Sequence, residues 1–134
     1  MAFKITCGFF IIKPSQQILF CHPTGSDPNF LSIPKGLVEV DESYYEAGIR
    51  EVFEETGLEI KNLFGDLQDI ENLVQYKYGK KALKAFIFRL SEGITTPLVC
   101  NSFFTLNVKK IPEVDDYRWL ILQELKNFKI HNTQ

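Results

Sequence analysis

The chain opens on a tract in which both alternating sets of side chains are largely apolar. Phe3, Ile5, Cys7, Phe9 and Ile11 form one set, and Thr6, Gly8, Phe10 and Ile12 the other. That predicts a strand over residues 3–12 covered on both faces, not one with a wet side. Pro14-Ser15-Gln16 predicts a turn into a second short strand, 17–21, and residues 22–29 carry the Pro, Gly, Ser and Asp of a loop. Residues 30–40 read as extended chain broken at Pro34 and Gly36.

A helix is then predicted to start abruptly. Ser43 followed three residues later by Glu46 has the spacing of a capping box, and Gly57 is placed to stop the helix in a left-handed conformation. Between them Tyr45, Ile49, Val52 and Phe53 recur at helical spacing, which predicts the face that packs on the sheet. Further strands are predicted over 58–64, 66–78 and 81–90, the last apolar on both sides like the first, with turns at Gly65 and at Tyr78-Gly79-Lys80. Residues 91–112 have no clear period beyond one strand near 103–108. A short strand over 117–121 and a closing helix over 120–130, with Ile121, Leu122, Leu125 and Phe128 on one side, complete the pattern. The sum is an α/β (α+β) fold, a mixed sheet between helices.

Composition narrows the function classes. The chain has 134 residues, the size of one domain, with 45% hydrophobic, 13% aromatic and 24% charged residues, an ordinary globular profile. A net charge of −2 offers no general attraction to DNA or to an anionic membrane, so any phosphate site has to be local. Cys7, Cys21 and Cys100 are odd in number and lack metal-type spacing, as expected of buried apolar residues in a reducing, cytoplasmic setting. No run approaches the ~18 apolar residues of a membrane span.

The chemistry is concentrated in the predicted helix. Glu51, Glu54 and Glu55 stand at i, i+3 and i+4, so three carboxylates project from one stripe. Taken alone, three acids at this spacing more often form a solvated acidic face than a metal site. Crowded carboxylates suit a hard divalent cation, Mg²⁺ or Mn²⁺, which neutralises phosphate oxygens and activates water.

The wider pattern decides between these readings. From Gly36 the chain runs Gly-Leu-Val-Glu-Val-Asp-Glu42, then after seven residues Arg50-Glu51-Val52-Phe53-Glu54-Glu55-Thr56-Gly57-Leu58. Residues 36–58 resemble the signature of the Nudix hydrolases at every defined position. The resemblance implies an α/β/α sandwich and hydrolysis of a nucleoside diphosphate linked to another moiety. It implies Glu51, Glu54 and Glu55 as catalytic metal ligands, helped by the backbone carbonyl of Lys35 or Gly36. Arg50 would pair with a neighbouring acid and Glu42 would support the loop. Family members often recruit one further acid from a distal loop; Glu113 is the candidate, ahead of Asp115, Asp116 and Glu92.

Substrate indications are thinner. Ile33-Pro34-Lys35-Gly36 resembles the entry to the signature in dinucleoside tetraphosphate hydrolases and RNA 5′-pyrophosphohydrolases, where Lys35 would meet a phosphate. Tyr76 lies near the place of a base-stacking tyrosine in the former group, or is a half-buried strand aromatic. Lys77, Lys80, Lys81 and Lys84 are the one local basic cluster, either a polyphosphate contact or a solvated strand edge. A dinucleoside polyphosphate is therefore the favoured substrate. An RNA 5′ end, a nucleoside triphosphate, or a non-catalytic nucleotide-sensing role are the alternatives, in a monomer or homodimer. His22 is expected to be structural.

Overall fold

A computed structural model describes residues 4–75 and 80–130. Its centre is the pair predicted to be covered on both faces. Strand β1 (Lys4–Ile12) runs parallel to β7 (Lys81–Leu90) over nine residue pairs, from Lys4 opposite Lys81 to Ile12 opposite Arg89. Neither strand tolerates a wet face because both sides are packed. On one side Phe9 and Ile11 meet Phe86, Phe88, Leu19 and Val52; on the other, Phe10 and Ile12 pack against Ile18, Phe20, Leu83 and Ala85.

Around this pair the remaining strands share edges. The outer edge of β1 is divided between β4 (Lys35–Leu37), which pairs Gly36 with Cys7, and β2 (Ile18–Pro23), which joins at Ile12. Beyond β2 lies β10 (Val114–Leu120), antiparallel to it. The outer edge of β7 is divided between β5 (Gly65–Asp69) and β6 (Val74–Gln75). The result is a seven-stranded mixed sheet among the described residues. Two small pairs lie outside it: β3 (Phe30–Leu31) with β11 (Lys129–Ile130), and β8 (Phe103–Leu106) with β9 (Lys109–Pro112).

Helix α1 (Tyr44–Thr56) covers one face, and its ends are as predicted. Ser43 Oγ accepts from the Glu46 N–H while the Glu46 carboxylate accepts from the Ser43 N–H, and Gly57 closes the helix at φ 79°. The buried line differs from the expectation. It runs through Ala47, Gly48, Val52 and Thr56, flanked by Tyr45 and Ile49, and Phe53 is exposed just past its edge. Small residues let the helix approach closely. A Cβ on Gly48 would stand 2.8 Å from the Phe9 ring.

The strand predicted over 58–64 is instead a 3₁₀ turn, η1 (Ile60–Asn62). Leu58 and Ile60 are buried with Glu59 exposed between them, and this alternation imitates a strand. The strand predicted over 66–78 is broken after Asp69, and its end from Tyr76 lies outside the described residues. The strand expected near 103–108 reverses at Asn107 and Val108, both at positive φ, to become one arm of a hairpin. The helix expected over 120–130 is a six-residue 3₁₀ helix, η2 (Leu122–Asn127). It stops because Phe128 turns into the core of the second face and Lys129–Ile130 leave to pair with β3. The sandwich holds, with a thin layer on the face opposite α1.

Candidate active site

The last two turns of α1 carry the acids, and Gly36 sets how near they come to the sheet. The Glu51 carboxylate lies directly over Gly36, where an added Cβ would fall 2.2 Å from it. No other residue type leaves that space open. Gly8 gives the same clearance below: a Cβ there would stand 2.6 Å from the Pro34 carbonyl and from Lys35 Cβ, so the Pro34-Lys35 segment is seated on bare β1 backbone.

Arg50 organises the cluster from behind. Its guanidinium grips Glu42 at two points, 2.7 and 3.0 Å, and reaches Glu51 at 2.7 Å, Glu54 at 3.2 Å and the Leu37 carbonyl at 3.0 Å. A planar five-donor fork holds several carboxylates in fixed directions, which a lysine does not. Hydrogen bonding to Arg50 holds the Glu42 carboxyl below its ordinary range.

Deeper in, charge is less well compensated. Burial raises the Glu51 pKa, and Glu54 adds repulsion that Arg50 partly offsets. Glu55 is pushed up to about 8, first by burial and then by Glu51, although it accepts a hydrogen bond from the Lys35 backbone N–H at 3.3 Å. Burial likewise lowers the Lys35 ammonium pKa, against the pull of Glu55 and Glu51. Glu55 and Lys35 line a cavity of ≈ 160 Å³ with Cys21, Pro23, Ser32 and Glu113, at the gap where β2 and β4 part company along β1.

Glu113, predicted from the sequence only as a distal acid, is thus brought to the same cavity. The Ser102 hydroxyl donates to its carboxylate, its N–H donates to the Ser102 carbonyl at 2.8 Å, and its carbonyl accepts from the Thr24 N–H at 3.0 Å. Asp115 lies elsewhere, 2.5 Å from His22 Nδ1, and this contact raises the His22 pKa. His22 Nε2 lies 3.0 Å from the Asp27 carbonyl, so the histidine ties the 22–29 loop to β10. Asp116 faces Arg118, and Glu92 lines a separate small cavity by Phe64 and Leu90.

The substrate candidates divide. Lys35 is in the cavity. Lys84 is not brought there: it is buried on β7, its ammonium bonded to the Asp69 carboxylate and, at 2.6 Å, to the Ile70 carbonyl. Its place on a covered strand turns an apparent surface lysine into an internal tie. Lys81 is exposed at the start of β7, next to Lys4 in register. Tyr76 and Lys77 lie outside the described residues. Cys7 and Cys21 are buried and unpaired, as expected, and Cys100 is half-buried.

A group that the sequence does not reveal holds the far end of the helix. The last carbonyls of α1 lack partners within it. They are met by Asn101 N–H to Glu54 at 2.6 Å, Asn101 Nδ2 to Phe53 at 3.3 Å, Val99 N–H to Thr56 at 2.9 Å and the Tyr117 hydroxyl to Glu55 at 2.6 Å. One strap, residues 99–102, therefore anchors the acid-bearing turn and, through Ser102, Glu113.

The donor set suits a hard divalent cation: oxygen ligands only, with buried carboxylates short of positive charge. Among the described residues no three acidic, His or Cys side chains already converge on one point. Arg50 draws Glu51 and Glu54, and the Lys35 N–H draws Glu55.

Comparison with known proteins identifies the family and the fold. The NUDIX domain family model matches residues 2–134. No curated protein matches by sequence. Among solved structures, the E. coli dihydroneopterin triphosphate pyrophosphohydrolase superposes with TM-score 0.68 at 20% identity, covering 96% of this chain and 89% of that one. A C. elegans Ap4A hydrolase binary complex gives 0.65 at 18%, covering 93% and 85%. A MutT protein from Methanosarcina mazei Go1 gives 0.59 at 22%, covering 92% and 80%. These likenesses establish the fold.

Proposed function

The chain belongs to the Nudix family, pyrophosphohydrolases acting on nucleoside diphosphate derivatives, and from that premise we propose that it cleaves a dinucleoside polyphosphate with Mg²⁺ or Mn²⁺. One observation carries the site assignment: Glu55, Lys35 and Glu113, from three separate segments, line one cavity beside the Glu51–Gly36 contact. Enzymes of this family generally use a divalent metal. Glu51, Glu54 and Glu55 would hold it, and when bound it supplies charge to phosphate oxygens and acidifies a water.

The chain's own groups do the rest. Arg50 aims the Glu51 and Glu54 carboxylates through its hydrogen bonds. Glu55, whose pKa burial raises and which lines the cavity beside Lys35, is the group assigned to take a proton from water. Lys35 meets a phosphate oxygen at the cavity wall. Glu113, held by Ser102, is the further acid on the opposite wall.

Lys35 in its Pro34-Lys35-Gly36 setting supports the preference for a dinucleoside polyphosphate. Incubation with Mg²⁺ and a panel of nucleotides, read by product identity, tests it. ATP release from a dinucleoside tetraphosphate supports the reading; turnover confined to RNA 5′-triphosphate ends or to nucleoside triphosphates assigns the same site to another substrate. Absence of turnover across the panel would leave a nucleotide-binding domain.

A further inference from the structure

We infer that the β8–β9 hairpin is a binding arm for the distal nucleoside of the substrate, with Phe104 and Leu106 receiving its base. This rests on the dinucleoside polyphosphate reading. Among the described residues the hairpin pairs only with itself, and both of its strands are largely exposed. Its base is the cavity wall: Ser102 and Glu113 bond to each other immediately below the Phe103–Pro112 pair.

Alternation along the two strands decides which side chains continue that wall. Ser102, Phe104 and Leu106 share a face with Glu113, Ile111 and Lys109, through the register pairs Phe104–Ile111 and Leu106–Lys109. One face of the arm therefore runs from the catalytic acid through exposed apolar side chains to a lysine. Four residues separate Glu113 from Lys109, roughly 13 Å of strand, the reach of a group carried on several linked phosphates. The stretch from Ser102 to Pro112 has two lysines and no acid, in a protein of net charge −2.

The tip adds an independent observation. Asn107 and Val108 close a two-residue turn with φ of 50° and 64°, a geometry in which glycine is the favoured second residue. Val108 is β-branched in the left-handed region, which opposes folding through the backbone, and at 97% exposed it gains nothing from burial in return. An apolar side chain kept there at such cost is explained by something that covers it.

The test compares diadenosine tetraphosphate, which has two bases, with adenosine tetraphosphate, which has one. Phe104→Ser and Val108→Gly are expected to raise the ratio of the two-base KM to the one-base KM about tenfold, in the range of lost base stacking. kcat stays put. Val108→Gly is also expected to hold or raise Tm, which separates binding from folding, and Thr105→Ala on the opposite face leaves the ratio unchanged. Wild-type protein that prefers the one-base nucleotide overturns the substrate reading and the arm with it. A two-base preference that Phe104→Ser and Val108→Gly do not alter overturns the arm alone. So does a shift from dimer to monomer in these variants with an unchanged ratio, which would make the hairpin a contact between two copies. Equilibrium binding of both nucleotides by calorimetry gives the same comparison if turnover is slow.

Discussion

Two segments build the cleft, and they are held in different ways. Residues 36–58 carry most of their own wiring: the Ser43–Glu46 cap, the Gly57 stop and the Arg50 contacts to Glu42, Glu51 and Glu54 all close within 23 residues. Residues 91–113 close the β8–β9 hairpin and the Ser102–Glu113 contact within themselves, but nothing that fixes their place against the helix. They are fixed by what they touch elsewhere, Thr56, Glu54 and Phe53 on the helix, and Thr24 below β2. A segment wired locally keeps its geometry under distant change. A segment wired at a distance transmits change, so on the proposed reading the acids on α1 would set the chemistry and the strap with Glu113 would tune it.

Breaking the first segment is expected to cost most. Glu54→Gln or Glu55→Gln should lower kcat by about 10³-fold or more while Tm is retained, since each removes a proposed metal-binding carboxylate oxygen and leaves packing in place. Thermal melts beside steady-state rates check this, and near-normal turnover of either variant would sink the site assignment. Gly36→Ala comes next. Its Cβ displaces the Glu51 carboxylate, the mobile end of a side chain, so the fold survives and kcat falls about 10²-fold, as misplacement on the scale of 1 Å does.

In the second segment, Ser102→Ala releases the Glu113 carboxylate without touching the helix acids. The expected loss is about tenfold in kcat with KM little changed, comparable to losing one positioning hydrogen bond. Restoration by Ser102→Thr, which keeps the hydroxyl, would separate positioning from simple damage. The smallest effect concerns pH. Glu55 has its folded pKa raised to about 8, so the stability that its protonated form allows is present at low pH and lost as pH rises through about 8. Metal-free protein should lose a few degrees of Tm (about 2–4 °C per kcal/mol lost) between pH 5 and 9, and saturating Mg²⁺ should flatten that slope. A metal-free melt independent of pH would show that burial does not burden Glu55 as described.

The same contrast explains what could be read from the chain unaided. The capping box, the double-sided β1 and β7, and the acid stripe are visible because each repeats at the period of its own element. Glu113 was reachable by its resemblance, and its partner Ser102 was not, because nothing in residues 91–112 repeats. Lys84 misled because a basic cluster in sequence does not show which lysine a strand turns inward. Leu58 and Ile60 alternate as a strand does while lying in a 3₁₀ turn, and the closing helix gave way to the pairing of Lys129–Ile130 with β3. In each case a contact with a distant segment outweighed a local period.

The parallel pairing of β1 with β7 bears on how the protein is made. Phe9 stacks on Phe86 at 5.2 Å, Tyr45 of α1 meets Phe86 at 5.7 Å, and the floor beneath the helix is complete only when both strands are in place. As the chain leaves the ribosome, α1 emerges with its acids spaced and capped but with half its docking surface still unsynthesised. Assembly of the site waits on residues 81–90, and because parallel strands far apart in sequence join slowly, that wait marks the interval in which nascent β1 most needs shielding from other chains.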